Sequence, residues 1–145
     1  MIKIICLGKI KEAYLTDLID DYLKRIRKYH KIEIIELKDE EDLVSEAGNI
    51  RRYIGTNDYV VTLEIDGKNY SSVEFAEFLD KTFISHSTIT FIIGSSMGLD
   101  ESVKNLSHLS LSFSKLTFPH GLFRGILLEQ IYRAFKILNH EAYHK

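Results

Sequence analysis

Five short apolar runs punctuate the chain, at 1–7, 32–37, 58–65, 88–93 and 109–113. Continuous runs of this length, bounded by glycine or polar turns, predict strands buried on both faces. After the first run, Leu15, Leu18, Ile19, Tyr22, Leu23 and Ile26 recur at helical spacing, so Glu12–Tyr29 reads as an amphipathic helix. Lys24, Arg25, Arg27 and Lys28 crowd its end, where cations complement the helix dipole. Asp39–Ile54 is acidic and weakly periodic, and reads as a second helix. Asp66-Gly67 is a turn pair that ends the third strand. Ser71-x-x-Glu74 is a capping box opening a helix over Ser72–Phe83, with Phe75, Phe78 and Leu79 as its core residues. Strands alternating with helices imply βαβ units. The expected fold is α/β, a mostly parallel sheet flanked by helices.

The last helix, over Gly121–Leu138, has a different pattern. Leu122, Phe123, Ile126, Leu127, Leu128, Ile131 and Phe135 surround it instead of forming one stripe. A helix that is apolar all round must be covered on both sides. In a chain of 145 residues the simplest second cover is another subunit, so a homodimer is expected. Gly121 and Gly125, one turn apart, permit a close helix–helix approach.

The length suits a single domain spanning residues 1–145, and no linker, repeat or low-complexity segment interrupts it. No apolar run approaches the ~20 residues of a membrane span. Met1-Ile2-Lys3 leads straight into a strand-like run, so no leader peptide is visible. The lone Cys6 excludes an intrachain disulfide and fits a reducing, cytoplasmic setting. A formal charge of −2 hides an uneven distribution. Lys9–Lys31 holds seven Lys/Arg against four acids, and Leu111–Lys145 five against two, whereas Glu33–Glu46 holds seven acids against Lys38 alone. A basic face set against an acidic one is compatible with a phosphate-rich partner.

Candidate chemistry gathers at the carboxyl ends of the last two strands. Gly94-Ser95-Ser96-Met97-Gly98 follows one, and the segment Ser114–Gly121 follows the other. Ligands of open α/β sheets bind in that crevice. Neither loop carries G-x-G-x-x-G or a Walker Gly-Lys-Ser/Thr, which argues against dinucleotide and ATP chemistry. Ser112, Ser114 and His120 lack the nucleophile elbow that acyl transfer needs. His140-Glu141-Ala142-Tyr143-His144 spells a zinc-protease pattern, but its chemistry needs both histidines on one helical face and a third ligand. The helix is expected to finish near Asn139, and no ligand follows, so a metal is not expected. The tail reads as a mobile or partner-docked Tyr-His-Lys. Pro119 is the only proline and pre-sets a helix start, which brings His120 to the crevice with Lys115 and Arg124 nearby.

These same residues carry a resemblance. Ile93-Gly94-Ser95-Ser96-x-Gly98, the stretch Leu111–His120, Glu129-Gln130-x-Tyr132-Arg133-Ala134 and the terminal Tyr143-His144-Lys145 resemble the RlmH family of SPOUT-class RNA methyltransferases. The likeness runs from the first strand, Ile4-x-x-Leu7-Gly8-Lys9, to the last residue. It departs at Ser95, where the family usually has glycine, and in a short segment after Leu37. The resemblance implies a C-terminal trefoil knot, which pattern alone never reveals. It also implies S-adenosylmethionine-dependent methylation of N3 of a pseudouridine in 23S ribosomal RNA, within a 50S or 70S particle. The implied cofactor pocket comprises Leu63, Gly94, Phe113, Ser114, Lys115, Leu116, Thr117 and Phe118; the implied catalytic candidates are His120, Arg124, Tyr143 and His144. A homodimer follows from the family as well. The alternatives are a non-catalytic ribosome-associated factor and a zinc hydrolase through His140 and His144.

Overall fold

A computed structural model describes residues Met1–Lys145. The elements in order are β1 (Ile2–Leu7), α1 (Ala13–Ile26), β2 (Ile32–Leu37), α2 (Leu43–Arg51), β3 (Tyr59–Asn69), α3 (Ser72–Ser85), β4 (Ile89–Ile93), α4 (Glu101–Lys104), β5 (Leu109–Ser112) and α5 (His120–Leu138). The strands form one sheet in the order β2-β1-β4-β3-β5, and every adjacent pair is parallel.

Side-chain alternation along β1 divides the core into two layers. Ile2, Ile4 and Cys6 pack against α1, α3 and α5, while Ile5 and Leu7 meet Ala47 and Ile50 of α2 and Val103 of α4. Both faces of the central strands are covered, which is why β1 and β4 read as nearly continuous apolar runs. Burial pushes the Cys6 thiol up to about 11, with nearby Arg124 opposing and Glu36 adding to the shift. Its role is packing.

Local signals held where only neighbours were involved. Ser71 accepts from the Glu74 amide at 3.0 Å and the Glu74 carboxylate accepts from the Ser71 amide at 2.8 Å, so the capping box is real. Asp42 caps α2 through the Ser45 amide at 2.7 Å, which starts that helix four residues later than the acidic stretch implied. The helix over Glu12–Tyr29 is confined to Ala13–Ile26. The short α4, capped by Asp100, has no periodicity from which to foresee it.

Two expectations need correction. Asp66-Gly67 does not end the third strand: β3 continues to Asn69, and its pairing with β5 slips between Leu63 and Lys68. A Cβ on Gly67 would lie 2.7 Å from the Leu111 carbonyl carbon and 2.8 Å from the Ser110 carbonyl oxygen. Glycine serves close strand approach there, not a turn. The second correction concerns α5, which packs between α1 and α3 on one face of the sheet. A Cβ on Gly121 would come within 2.8 Å of Leu15 Cδ1, and one on Gly125 within 2.7 Å of Leu18 Cδ2. The close approach those glycines allow is therefore to α1 of the same chain. Leu127, Leu128 and Ile131 are wholly buried within this layer; each contributes about 1.5–3 kcal/mol relative to exposure. Most of the all-round apolar pattern belongs to a central helix with intramolecular cover.

Candidate functional site

Beyond the carboxyl ends of β4 and β5, against the middle of β3, lies a cavity of about 800 Å³. Its walls come from Leu63–Asp66, from the loop after β4 and from the segment between β5 and α5. The first loop is tight. A Cβ on Gly94 would stand 2.5 Å from the Gly98 carbonyl oxygen, and the Gly98 amide donates to the Ser95 carbonyl at 2.9 Å. The second segment is pinned by short polar side chains. Asn69 Nδ2 donates to the Ser112 carbonyl at 3.0 Å, and the Leu116 amide donates to Ser114 Oγ at 2.9 Å. Phe113, Phe118 and Phe123 build an aromatic wall, with ring centroids 5.4 Å apart for Phe113–Phe123 and 6.0 Å for Phe118–Phe123.

Seven of the eight residues expected at a cofactor pocket line this cavity: Leu63, Gly94, Phe113, Ser114, Leu116, Thr117 and Phe118. Lys115 does not line it and is exposed. Sequence reasoning missed Glu64, Asp66 and Lys104, which also line it. Glu64 Oε2 accepts from Thr62 Oγ1 at 2.7 Å and from Ser110 Oγ at 2.6 Å, and Lys104 Nζ stands 3.6 Å from Oε1. Burial alone would raise the Glu64 carboxyl, but these hydrogen bonds and the Lys104 charge outweigh it and hold the group below its ordinary range. Glu64, Asp66 and Lys104 thus add charge to a wall that also carries aliphatic and aromatic side chains. The one signal of Glu64 in the sequence was position, next to Leu63 in a strand predicted to end at the crevice.

A second cleft, of about 430 Å³, adjoins the first. The turn Leu7–Ile10, Asp39, Glu40, Glu46 and Arg124 contribute to its lining, and Ser95, Ser96 and His120 are common to both cavities. His120, the first residue of α5, thus stands at the partition between the aromatic-walled cavity and the polar cleft. Arg124, one turn on, is 2% exposed. Its guanidinium donates to Glu36 Oε2 at 2.8 Å and to the Leu7 and Gly8 carbonyls at 2.7 Å each. Those bonds fasten the end of β1, leaving only its Nε without a partner.

Tyr143 and His144 lie elsewhere. Tyr143 donates to Glu129 Oε2 at 3.0 Å, stacks edge-on against Tyr132 at 5.0 Å, and has the Arg133 guanidinium 4.7 Å over its ring. Burial, then hydrogen bonding with Tyr22 and Glu129, raises its phenol. Arg133 also donates to His144 Nδ1 at 3.1 Å. The tail, expected to be mobile or partner-docked, folds onto α5 in the single chain, because an aromatic and a cation there offer it a surface. Of the four catalytic candidates, the structure brings together His120 and Arg124 only. His140 has φ 55° beyond the end of α5, so it and His144 do not share a helical face, and nowhere do three His, Cys, Asp or Glu side chains converge as a ligand set.

The family described as predicted SPOUT methyltransferase matches residues 1–144. The chain belongs to the SPOUT methyltransferases. It is similar to the ribosomal RNA large subunit methyltransferase H of Streptococcus uberis, 48% identical over 157 aligned positions that cover 99% of each chain. The protein of that name from Caldicellulosiruptor saccharolyticus is 45% identical over 154 positions, covering 100% of each. Among solved structures, the SpoU methyltransferase AviRb of Streptomyces viridochromogenes matches with a TM-score of 0.50 at 11% identity, covering 98% of this chain and 62% of that one. At that identity the likeness speaks for the fold. In this SPOUT methyltransferase no helix is long and apolar enough to cross a membrane.

Proposed function

We propose that residues 1–145 act as one SPOUT domain that methylates N3 of a pseudouridine in 23S ribosomal RNA, with S-adenosylmethionine as donor. The observation that carries the reading is the shared wall: an aromatic-lined cavity and a polar cleft meet at Ser95, Ser96 and His120. A cavity of about 800 Å³ lies within the usual size of small-molecule sites. Its residues fit the cofactor, since Leu63, Phe113 and Phe118 suit an adenine and Glu64 suits an ammonium or ribose hydroxyls. When bound there, S-adenosylmethionine supplies an electrophilic sulfonium methyl group.

The chain's own task is alignment and proton handling. His120, at the partition, is placed to take the N3 proton, and the donor would supply the methyl group, its sulfonium departing as a neutral thioether. Arg124 acts at one remove by holding the end of β1 and hence the floor of the polar cleft. Lys9, in that cleft, and the exposed Lys11 and Tyr14 beside it offer phosphate and stacking contacts. Apolar side chains at the surface near the cavity, Ile65, Leu116 and Leu122, are 49%, 73% and 38% exposed and supply the contact of a homodimer. Through that dimer, Tyr143 and His144 of one subunit serve the site of the other. The knot expected of the family is formed where the loop after β4 and the segment after β5 wrap the one cavity. The setting is cytoplasmic and the substrate a 50S or 70S particle.

The test is transfer of labelled methyl from S-adenosylmethionine to naked rRNA, 50S and 70S particles, with the product nucleoside mapped. Label on N3 of a pseudouridine in 23S rRNA is expected. Cofactor binding without transfer to any of the three would instead favour a non-catalytic ribosome-associated factor. Activity abolished by chelator and restored by zinc would favour the hydrolase.

A further inference from the structure

We propose that Ser95 is a positioning residue for the cofactor, acting through the buried carboxylate of Glu46 to hold the loop between the two cavities. The proposal rests on the cofactor assignment made above. Glu46 is 1% exposed, and its carboxylate forms no ion pair. A carboxylate so placed must be satisfied by hydrogen bonds. It has two: Oε1 accepts from Ser95 Oγ at 2.7 Å, and Oε2 accepts from the Glu40 amide at 3.1 Å.

The Ser95 hydroxyl has a single proton, and that proton goes to Glu46. Its oxygen also accepts from the Met97 amide at 3.2 Å, while the Ser95 carbonyl accepts from the Gly98 amide at 2.9 Å. One 8% exposed side chain therefore fixes both the conformation of the turn and its distance from α2. Gly94, pressed against the Gly98 carbonyl, leaves the turn no slack to absorb a displacement. Ser95 is one of three residues, with Ser96 and His120, at which the two walls coincide, so a shift there widens one cavity at the expense of the other. The far oxygen of Glu46 reaches the segment after β2, where Asn49 Nδ2 donates to Glu40 Oε1 at 3.3 Å. The clamp thus ties the cofactor loop to the far side of the polar cleft. Hydrogen bonds to a charged acceptor are stronger than neutral ones, and burial strengthens them further.

Calorimetric titration of S-adenosylmethionine into wild type, Ser95→Ala, Glu46→Gln and the double variant tests this. Ser95→Ala should raise the dissociation constant about tenfold. The double variant should bind no worse than the weaker single one, because both remove one interaction. Ser95→Ala binding within twofold of wild type, or losses that multiply in the double variant, would overturn the proposal. Should Glu46→Gln not fold, amide exchange in unliganded Ser95→Ala decides instead. Faster exchange at Met97 and Gly98 supports the clamp, and unchanged protection overturns it. A wild-type protein that binds no S-adenosylmethionine overturns the functional reading and the cofactor role of Ser95 with it. A wild type that binds, matched by an unaffected Ser95→Ala, overturns the positioning role alone.

Discussion

Replacing Arg124 by methionine separates a structural from a chemical role for a residue that sequence resemblance places among the catalytic candidates. Methionine keeps much of the aliphatic stem, so the cavity left is small. The loss is polar. The Leu7 and Gly8 carbonyls each forfeit a 2.7 Å bond, and an unsatisfied buried acceptor costs about 1–3 kcal/mol. Glu36 forfeits its 2.8 Å partner, but its side chain is 39% exposed and remains hydrated, so that part is small. Against these losses, the unpartnered Nε and the buried guanidinium charge disappear, a gain of about 1–2 kcal/mol. Water entering from the adjoining cleft satisfies part of the two carbonyls. The net is a destabilisation of about 2–3 kcal/mol, or a fall of about 6–10 °C in Tm for a chain of this length. Circular dichroism melts read the stability, and methyl transfer at a temperature far below the melt reads the chemistry. If Arg124 only holds β1, transfer per folded molecule should remain within a few-fold of wild type. An unchanged Tm together with abolished transfer would refute the argument and put the guanidinium at the reacting atoms.

Three further predictions follow from the same geometry. Asp58 and Glu64 have folded-state pKa values below their ordinary ones: burial opposes ionisation in each, but Lys3, the Gly55 amide and Thr90 prevail for Asp58, and Ser110, Thr62 and Lys104 for Glu64. Depressed carboxyls contribute stability above the ordinary carboxylate range that is lost as pH falls through the folded values. Urea midpoints should therefore drop between neutral and acid pH, and Asp58→Asn should flatten that drop. Leu122→Glu should leave the fold intact and shift sedimentation toward monomer, whereas Leu127→Glu, wholly buried, should fail to fold; a wild type monomeric at micromolar concentration would remove the dimer. Deleting Tyr143-His144-Lys145 should change Tm little, because these residues are half-buried or exposed, yet lower kcat rather than raise KM. Wild-type kcat after deletion would end the tail's proposed part in transfer.

The strands and their parallel arrangement were legible because β1 and β4 are covered on both faces, and apolar runs alternating with helical periods are the local mark of that. The capping box was legible because its four groups lie within four residues. The crevice was legible too, since glycines and short polar residues after a strand mark the loops that ligands meet. Asp66-Gly67 was misread because a glycine in a turn and a glycine beside a neighbouring backbone look alike. Only β5, more than forty residues on, distinguishes them.

By itself, then, the sequence determined whatever depends on near neighbours: strand and helix periods, caps, the stop at Pro119 and, through its motifs, the family. What only the tertiary structure decided depends on atoms far apart along the chain. Ser95 meets Glu46 across 49 residues, Arg124 meets the Leu7 carbonyl across 117, and the glycines of α5 face α1 rather than another subunit. A hydroxyl, a guanidinium or a missing Cβ carries no mark of its partner until packing brings the two within 3 Å, and that distance is set by the whole sheet.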